Sequence, residues 1–449
     1  MLLLWIELLS ASRALAEAAP TPPPRRRPGR GQTSPESPET LPAPPNDPEL
    51  KLQGIVERRR WRLVEEIGVE QRWWDPYHQN TIKGDRPLAG EWFMNLGLLS
   101  SSVALAGSEQ RLREELAVTA GLLKGDTAFK PPDLRLQVAA LVAPFAPGTP
   151  AGLRTGYLDG RLWIASARYD FDALRIGLQP ITTDFRGFLF RDEQPGIRLY
   201  GNRFNNRFQY TLAAFQRIPW RTDAPVPDLA ALETPDPERV YTAVAYVQDV
   251  GVTGLNLNLS GTWQRPREDE ERRSLGLGME GHIGRLNLTV VSYLQETAEG
   301  LVAAEPSIDF DWLRVRGSLL VSSAGYAPLR AQPTFAGSLS SAWVQLQRPG
   351  KAPRSFTVEG DGLQLFGGGV SAALLPTLRA SADVNLLRLT TGGGLGADLS
   401  AGIRWRPLFN DILAIRLGGG LLSGGPGLTA LGSPSSELVT AQLQLLVQY

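Results

Sequence analysis

No cysteine occurs anywhere in the 449 residues, which excludes disulfide frameworks, thiolate metal sites and thiol catalysis. Histidine is nearly as scarce: His78 and His282 are the only two. They are far apart in sequence, so no closely spaced pair exists to hold a nitrogen-ligated metal. The charges cancel, with 46 lysines and arginines against 46 aspartates and glutamates. No overall basic charge draws this chain to nucleic acid. No apolar run approaches the roughly 18 residues that a membrane-spanning helix needs. Any crossing of a membrane must therefore be made by strands.

Catalysis and metal binding find little support. His282 shares a face with Glu280, but no nucleophile follows from the spacing. The acidic run 268–271 lacks the alternating ligands and central glycine of a calcium loop, and Arg267, Arg272 and Arg273 flank it. It reads as a solvated loop. No catalytic residue, metal ligand or cofactor is expected.

Four regions follow one another. Residues 1–19 read as a signal peptide, with an apolar start and small residues at Ala14 and Ala16. Glu7 interrupts the apolar stretch and no basic residue precedes it, so a frayed terminus is the plainer alternative. Residues 20–48 are a proline-rich linker with too little apolar area to offset the entropy of ordering. Residues 49–90, with Trp61, Trp73, Trp74 and Tyr77, read as a short periplasmic or plug-like segment. Residues 91–449 follow a period of two.

Leu255, Leu257, Leu259, Gly261 and Trp263 alternate with Asn256, Asn258, Ser260 and Thr262. Ala397, Leu399, Ala401, Ile403 and Trp405 alternate with Asp398, Ser400, Gly402 and Arg404. Side chains on a strand alternate faces, so each segment presents one apolar and one polar face. Segments of about ten residues fit a tilted transmembrane strand, and short turns alternate with longer loops as in bacterial barrels. The expected fold is all-β: a transmembrane antiparallel β-barrel of about 18 strands, between 16 and 20. Both termini are expected in the periplasm. An even count requires 342–347, which looks strand-like, to lie within a long external loop. Trp92, Trp312, Trp405 and Tyr449 fall at one set of strand ends and Trp263 at the other, where amphipathic rings favour an interface. The last strand, 439–449, alternates Val439, Ala441, Leu443, Leu445, Val447 and Tyr449 with mostly polar residues.

Several stretches resemble an uncharacterised family of large Gram-negative outer-membrane β-barrel proteins. They are WDPYHQNTIKGD at 74–85, GDTAFKP at 125–131, IGLQP at 176–180, DFRGFLF at 184–190, RLYG at 198–201, NNRFQY at 205–210 and DLSAGIRWRPL at 398–408. The resemblance implies a fold and a location, and no activity. A terminal aromatic behind alternating apolar residues likewise resembles the signal read by the barrel-assembly machinery. That machinery, outer-membrane lipid, lipopolysaccharide and a periplasmic partner are the expected partners.

If the apolar face meets lipid, the other lines the lumen, because arginine facing lipid at mid-membrane costs roughly 2–4 kcal/mol. The candidate pore-lining residues are Arg135, Arg175, Arg198, Glu280, His282, Arg314, Arg316, Arg379, Asp398 and Arg404. Their arginine excess points to a modestly anion-favouring interior. Charges that pair and stabilise the wall are the alternative. The loop at 180–196, with Asp184 and Arg186, is the candidate constriction or plug. The expected function is a porin-like channel for passive passage of small polar solutes. The alternative is a structural scaffold that seats a periplasmic or surface partner.

Overall fold

The computed structural model describes residues 81–107, 111–125, 131–144, 151–166, 170–221, 226–233, 237–266, 271–328, 335–337, 361–407, 413–425 and 437–448. The expected signal peptide, the linker, residues 49–80, the segment 342–347, most of the acidic run and Tyr449 lie outside them.

The chain forms β1 (Lys83–Ala89), β2 (Trp92–Gly107), β3 (Arg111–Lys124), β4 (Leu134–Val142), β5 (Ala151–Ile164), β6 (Phe171–Thr182) and β7 (Arg191–Arg203). Next come β8 (Phe208–Gln216), β9 (Arg239–Val247), β10 (Leu255–Arg265), β11 (Arg272–Ile283), β12 (Leu286–Gln295) and β13 (Gly300–Asp309). Last are β14 (Leu313–Ser322), β15 (Leu363–Leu375), β16 (Leu378–Leu389), β17 (Gly394–Trp405), β18 (Leu413–Gly424) and β19 (Glu437–Gln448). From β2 to β19 each strand pairs antiparallel with its successor, and β19 pairs back onto β2 from Thr440↔Gly107 to Gln448↔Leu99. The result is a closed barrel of 18 strands. Closure matters because an unpaired backbone edge in lipid costs several kcal/mol per group.

Strand β1 was not foreseen. It pairs with the first residues of β2, from Lys83↔Asn95 to Ala89↔Trp92. Since β3 covers the other side of β2 from Trp92 to Leu105, β1 occupies the side that β19 leaves open below Leu99. β1 and β19 thus share the same edge of β2.

Three strand ends also run further than alternation predicts. β5 starts at Ala151, where glycines and Arg154 read as loop; a register shift opposite Ala139 and Ala140 absorbs the irregularity. The loop expected at 180–196 shrinks to 183–190, because β6 and β7 pair up to Thr182↔Arg191 through Pro180 and Pro195. Both prolines are tolerated for one reason. The β5–β6 ladder stops at Leu178 and the β7–β8 ladder at Gly196, so each proline behaves as on a strand edge, where a missing N–H is harmless.

Burial follows the alternation. On β4, Arg135, Gln137, Ala139 and Leu141 are buried inside, while Leu134, Leu136 and Val138 are exposed outside. Ile176, Ile197, Leu259, Val384 and Leu399 continue the exposed apolar belt. Trp163, Trp312 and Trp405 are exposed at the end with the tighter turns, such as 284–285 and 376–377. Trp263 meets Tyr241 at the other end in a tilted ring pair, with centroids 5.1 Å apart. A belt flanked by aromatic girdles is the surface that a bilayer requires.

Candidate functional site

The barrel interior carries two walls of different charge. On the first, direct cross-strand pairing places Arg135 beside Asp159, Asp159 beside Arg175 and Arg175 beside Arg198. All four side chains point inward and are almost fully buried. Asp159 accepts hydrogen bonds from Arg135 (2.6 Å), Arg175 (2.9 Å) and the Tyr200 hydroxyl (2.8 Å). The guanidinium of Arg175 lies 4.3 Å from the centre of the Tyr157 ring, and that of Arg198 lies 5.0 Å from Tyr200. Ring faces attract cations, so the tyrosines hold the arginines in a fixed row. This row brings together three of the arginines expected from the sequence. It adds Tyr157, Asp159 and Tyr200, which the sequence reading did not single out.

Across the barrel, β11 to β17 carry Glu280, Glu305, Asp383 and Asp398, all buried on the inner face. Here the loop 183–190 arrives. It leaves the first wall at β6, and Asp184, Arg186, Phe188, Leu189 and Phe190 are buried within the barrel. Asp184 shapes the loop: its carboxylate accepts from the backbone N–H groups of Arg186, Gly187, Phe188 and Leu189 at 2.5–3.1 Å. Arg186 then reaches the far wall. It donates to Thr289 (2.7 Å) and pairs with Glu280 (3.3 Å) and Glu305 (3.5 Å). Asp184 and Arg186, the two residues named for this loop from the sequence, are both buried here.

A second inward segment, 335–337, comes from the connection between β14 and β15. The Ala336 N–H donates to Glu305 (3.0 Å), and its carbonyl accepts from Asn385 (3.2 Å). Phe335 meets Phe188 edge-on at 5.4 Å. Both segments pack on Tyr293, Leu301, Leu320 and Leu365. Burying each such side chain contributes roughly 1.5–3 kcal/mol, which anchors irregular backbone inside the barrel. Tyr326 belongs to this core, and burial pushes its phenol well above the usual value, with the Asp184 carboxylate adding to the effect. A third connection, between β8 and β9, leans inward at the same end. Trp220 donates to Asp192 (2.8 Å), and Val226 packs on Leu141.

The remaining expected residues are placed as follows. Arg316 pairs with Asp383 and lies 3.9 Å from Glu305. Arg314 pairs instead with Asp309 of its own hairpin, away from the inward loops. Asp398 is fully buried, 3.4 Å from the Asn385 amide. Arg379 lies directly opposite Arg404, and Arg404 opposite Arg416, forming a second arginine row near the tighter turns. His282 is exposed, with its ring against Gly254. Glu305 was missed. Its signal was parity with Ala303 and Ser307, hidden by the apolar Leu301 on the same face.

No family model and no curated relative matches the chain. Solved structures do. Outer membrane protein opdK from Pseudomonas aeruginosa aligns with a TM-score of 0.54 at 11% identity, over 79% of this chain and 98% of that one. The fold is that of an outer-membrane porin. OccK2 (OpdF) from the same organism, solved in complex with glucuronate, aligns with a TM-score of 0.51 at 14% identity, over 80% and 96% of the two chains. A BenF-like porin from Pseudomonas fluorescens Pf-5 aligns with a TM-score of 0.54 at 9% identity, over 80% and 98%. At such identities the likeness is one of fold, and the side chains of this barrel must be read on their own terms.

Proposed function

We propose that this chain is an outer-membrane channel for small polar solutes, with a preference for those carrying negative charge. The observation that carries the reading is the loop 183–190, folded into a closed barrel between a wall rich in arginine and a wall rich in carboxylate. A transverse arrangement of fixed charges orients a polar solute, and narrowing by a loop makes that orientation matter for passage. Two inner rows, Arg135–Arg175–Arg198 and Arg379–Arg404–Arg416, support the preference for anions. The glucuronate found with the OccK2 relative makes a sugar carboxylate the first solute to test. The end with the tighter turns is assigned to the periplasm, as is usual for bacterial barrels. The last strand is assigned as the signal for the barrel-assembly machinery, with lipopolysaccharide packing on the outer belt.

Planar-bilayer recording of the purified protein tests this function. Discrete ohmic steps are expected, larger after deletion of 184–190 and reduced by added glucuronate. Persistent silence in a correctly folded barrel overturns the channel reading and favours a scaffold. A deletion with native conductance overturns the constriction.

A further inference from the structure

Glu305 touches both inward segments with different oxygens. Its Oε1 meets Arg186 of the loop 183–190 at 3.5 Å. Its Oε2 accepts from the Ala336 backbone N–H at 3.0 Å and from the Ser318 hydroxyl at 3.3 Å, with the Arg316 Nε 3.9 Å away. The side chain is buried, so water competes little for these oxygens. Glu280 differs: among the described residues its ion pair is with Arg186, on the first loop. We propose that Glu305 is a shared positioning residue that couples the two inward segments, so that the constriction yields as one unit rather than loop by loop. This rests on the channel reading for its consequence in transport, but not for its physical content.

Such a coupling is reciprocal. Weakening one segment's hold on Glu305 lets the carboxylate relax toward the other partner or away from it. The second segment then loses part of its anchor. Glu305 can be removed without stranding its cationic neighbours, because Arg186 keeps Glu280 and Arg316 keeps Asp383.

Hydrogen exchange of the full-length protein in detergent, read by mass spectrometry, tests the coupling. Arg186→Gln perturbs the first loop, and the readout is the peptide containing 335–337. Asn385→Ala perturbs the second segment, and the readout is the peptide containing 184–190. Each substitution is expected to speed exchange in the opposite peptide by roughly three- to tenfold, the scale of one hydrogen bond. In a Glu305→Ala background both cross-effects are expected to vanish. Cross-effects that persist there assign the coupling to the Phe188–Phe335 contact and overturn the proposal. Their absence from the native background overturns it too. A barrel that is silent in bilayers yet shows Glu305-dependent cross-effects keeps the proposal and discards the channel reading.

Discussion

Arg316 on β14 meets Asp383 on β16 by reaching across the intervening strand β15. Gly369 makes this contact feasible. It lies between the two residues in register, and a Cβ there would collide with the Asp383 carboxylate and come within 3.0 Å of Arg316 Nη2.

Gly369→Val is therefore expected to displace Asp383 and break the pair while keeping the barrel. The obstructed atom is the end of a flexible side chain, so the backbone need not move. Overpacking of this kind costs about 1–3 kcal/mol. A crystal structure should show Asp383 turned away. Reversal potentials under a salt gradient should shift relative to the native channel. An unmoved Asp383 would sink the explanation for this glycine.

Asp159 is expected to restrain the positive wall. Asp159→Asn removes the only carboxylate in the row formed with Arg135, Arg175 and Tyr200. Loss of a buried partner costs at most about 3–5 kcal/mol, and less where lumen water reaches the arginines. Denaturant unfolding should show the loss, and anion-over-cation selectivity should increase. Unchanged selectivity would mean that solutes do not pass this row.

An ion pair on the outer face makes the third test. Asp172 and Arg203 pair at 2.7 Å, and Tyr210 donates to the same carboxylate across Gly201, where a Cβ would lie 2.6 Å from Asp172 Oδ1. Arg203→Ala leaves the carboxylate facing the membrane boundary with one charged partner fewer. The expected cost is roughly 1.5–3 kcal/mol, the range for hydrogen bonds to a charged group. Adding Asp172→Asn should recover part of that cost. Additive losses in a double-mutant cycle refolded into vesicles would refute the pairing.

The strand plan was legible because alternation is local. Leu136 and Val138 on one side of Arg135 and Gln137 reveal the faces of β4 without any partner strand. The even count needed a further choice, that the strand-like 342–347 lie within a long external loop, and that segment is outside the described residues. The loop holding 184–190 was singled out only by its place among the longer connections, and its charges gave no sign of which wall they meet. What alternation blurs is the strand end. Pro180, Pro195 and the glycines of β5 read as loop, because their tolerance depends on where neighbouring ladders stop.

The sequence by itself determined a barrel, the direction in which each strand's polar face points, and the absence of thiol chemistry. Residue type and a period of two suffice for these. Only the tertiary structure decided which inner charges meet. Asp159 and Arg175 are joined by strand register, and Arg186 and Glu305 by a loop that crosses the lumen. Register and loop path are set by closure of the whole sheet and by burial of Phe188 and Phe335 on the far wall. These are long-range conditions that no local pattern contains.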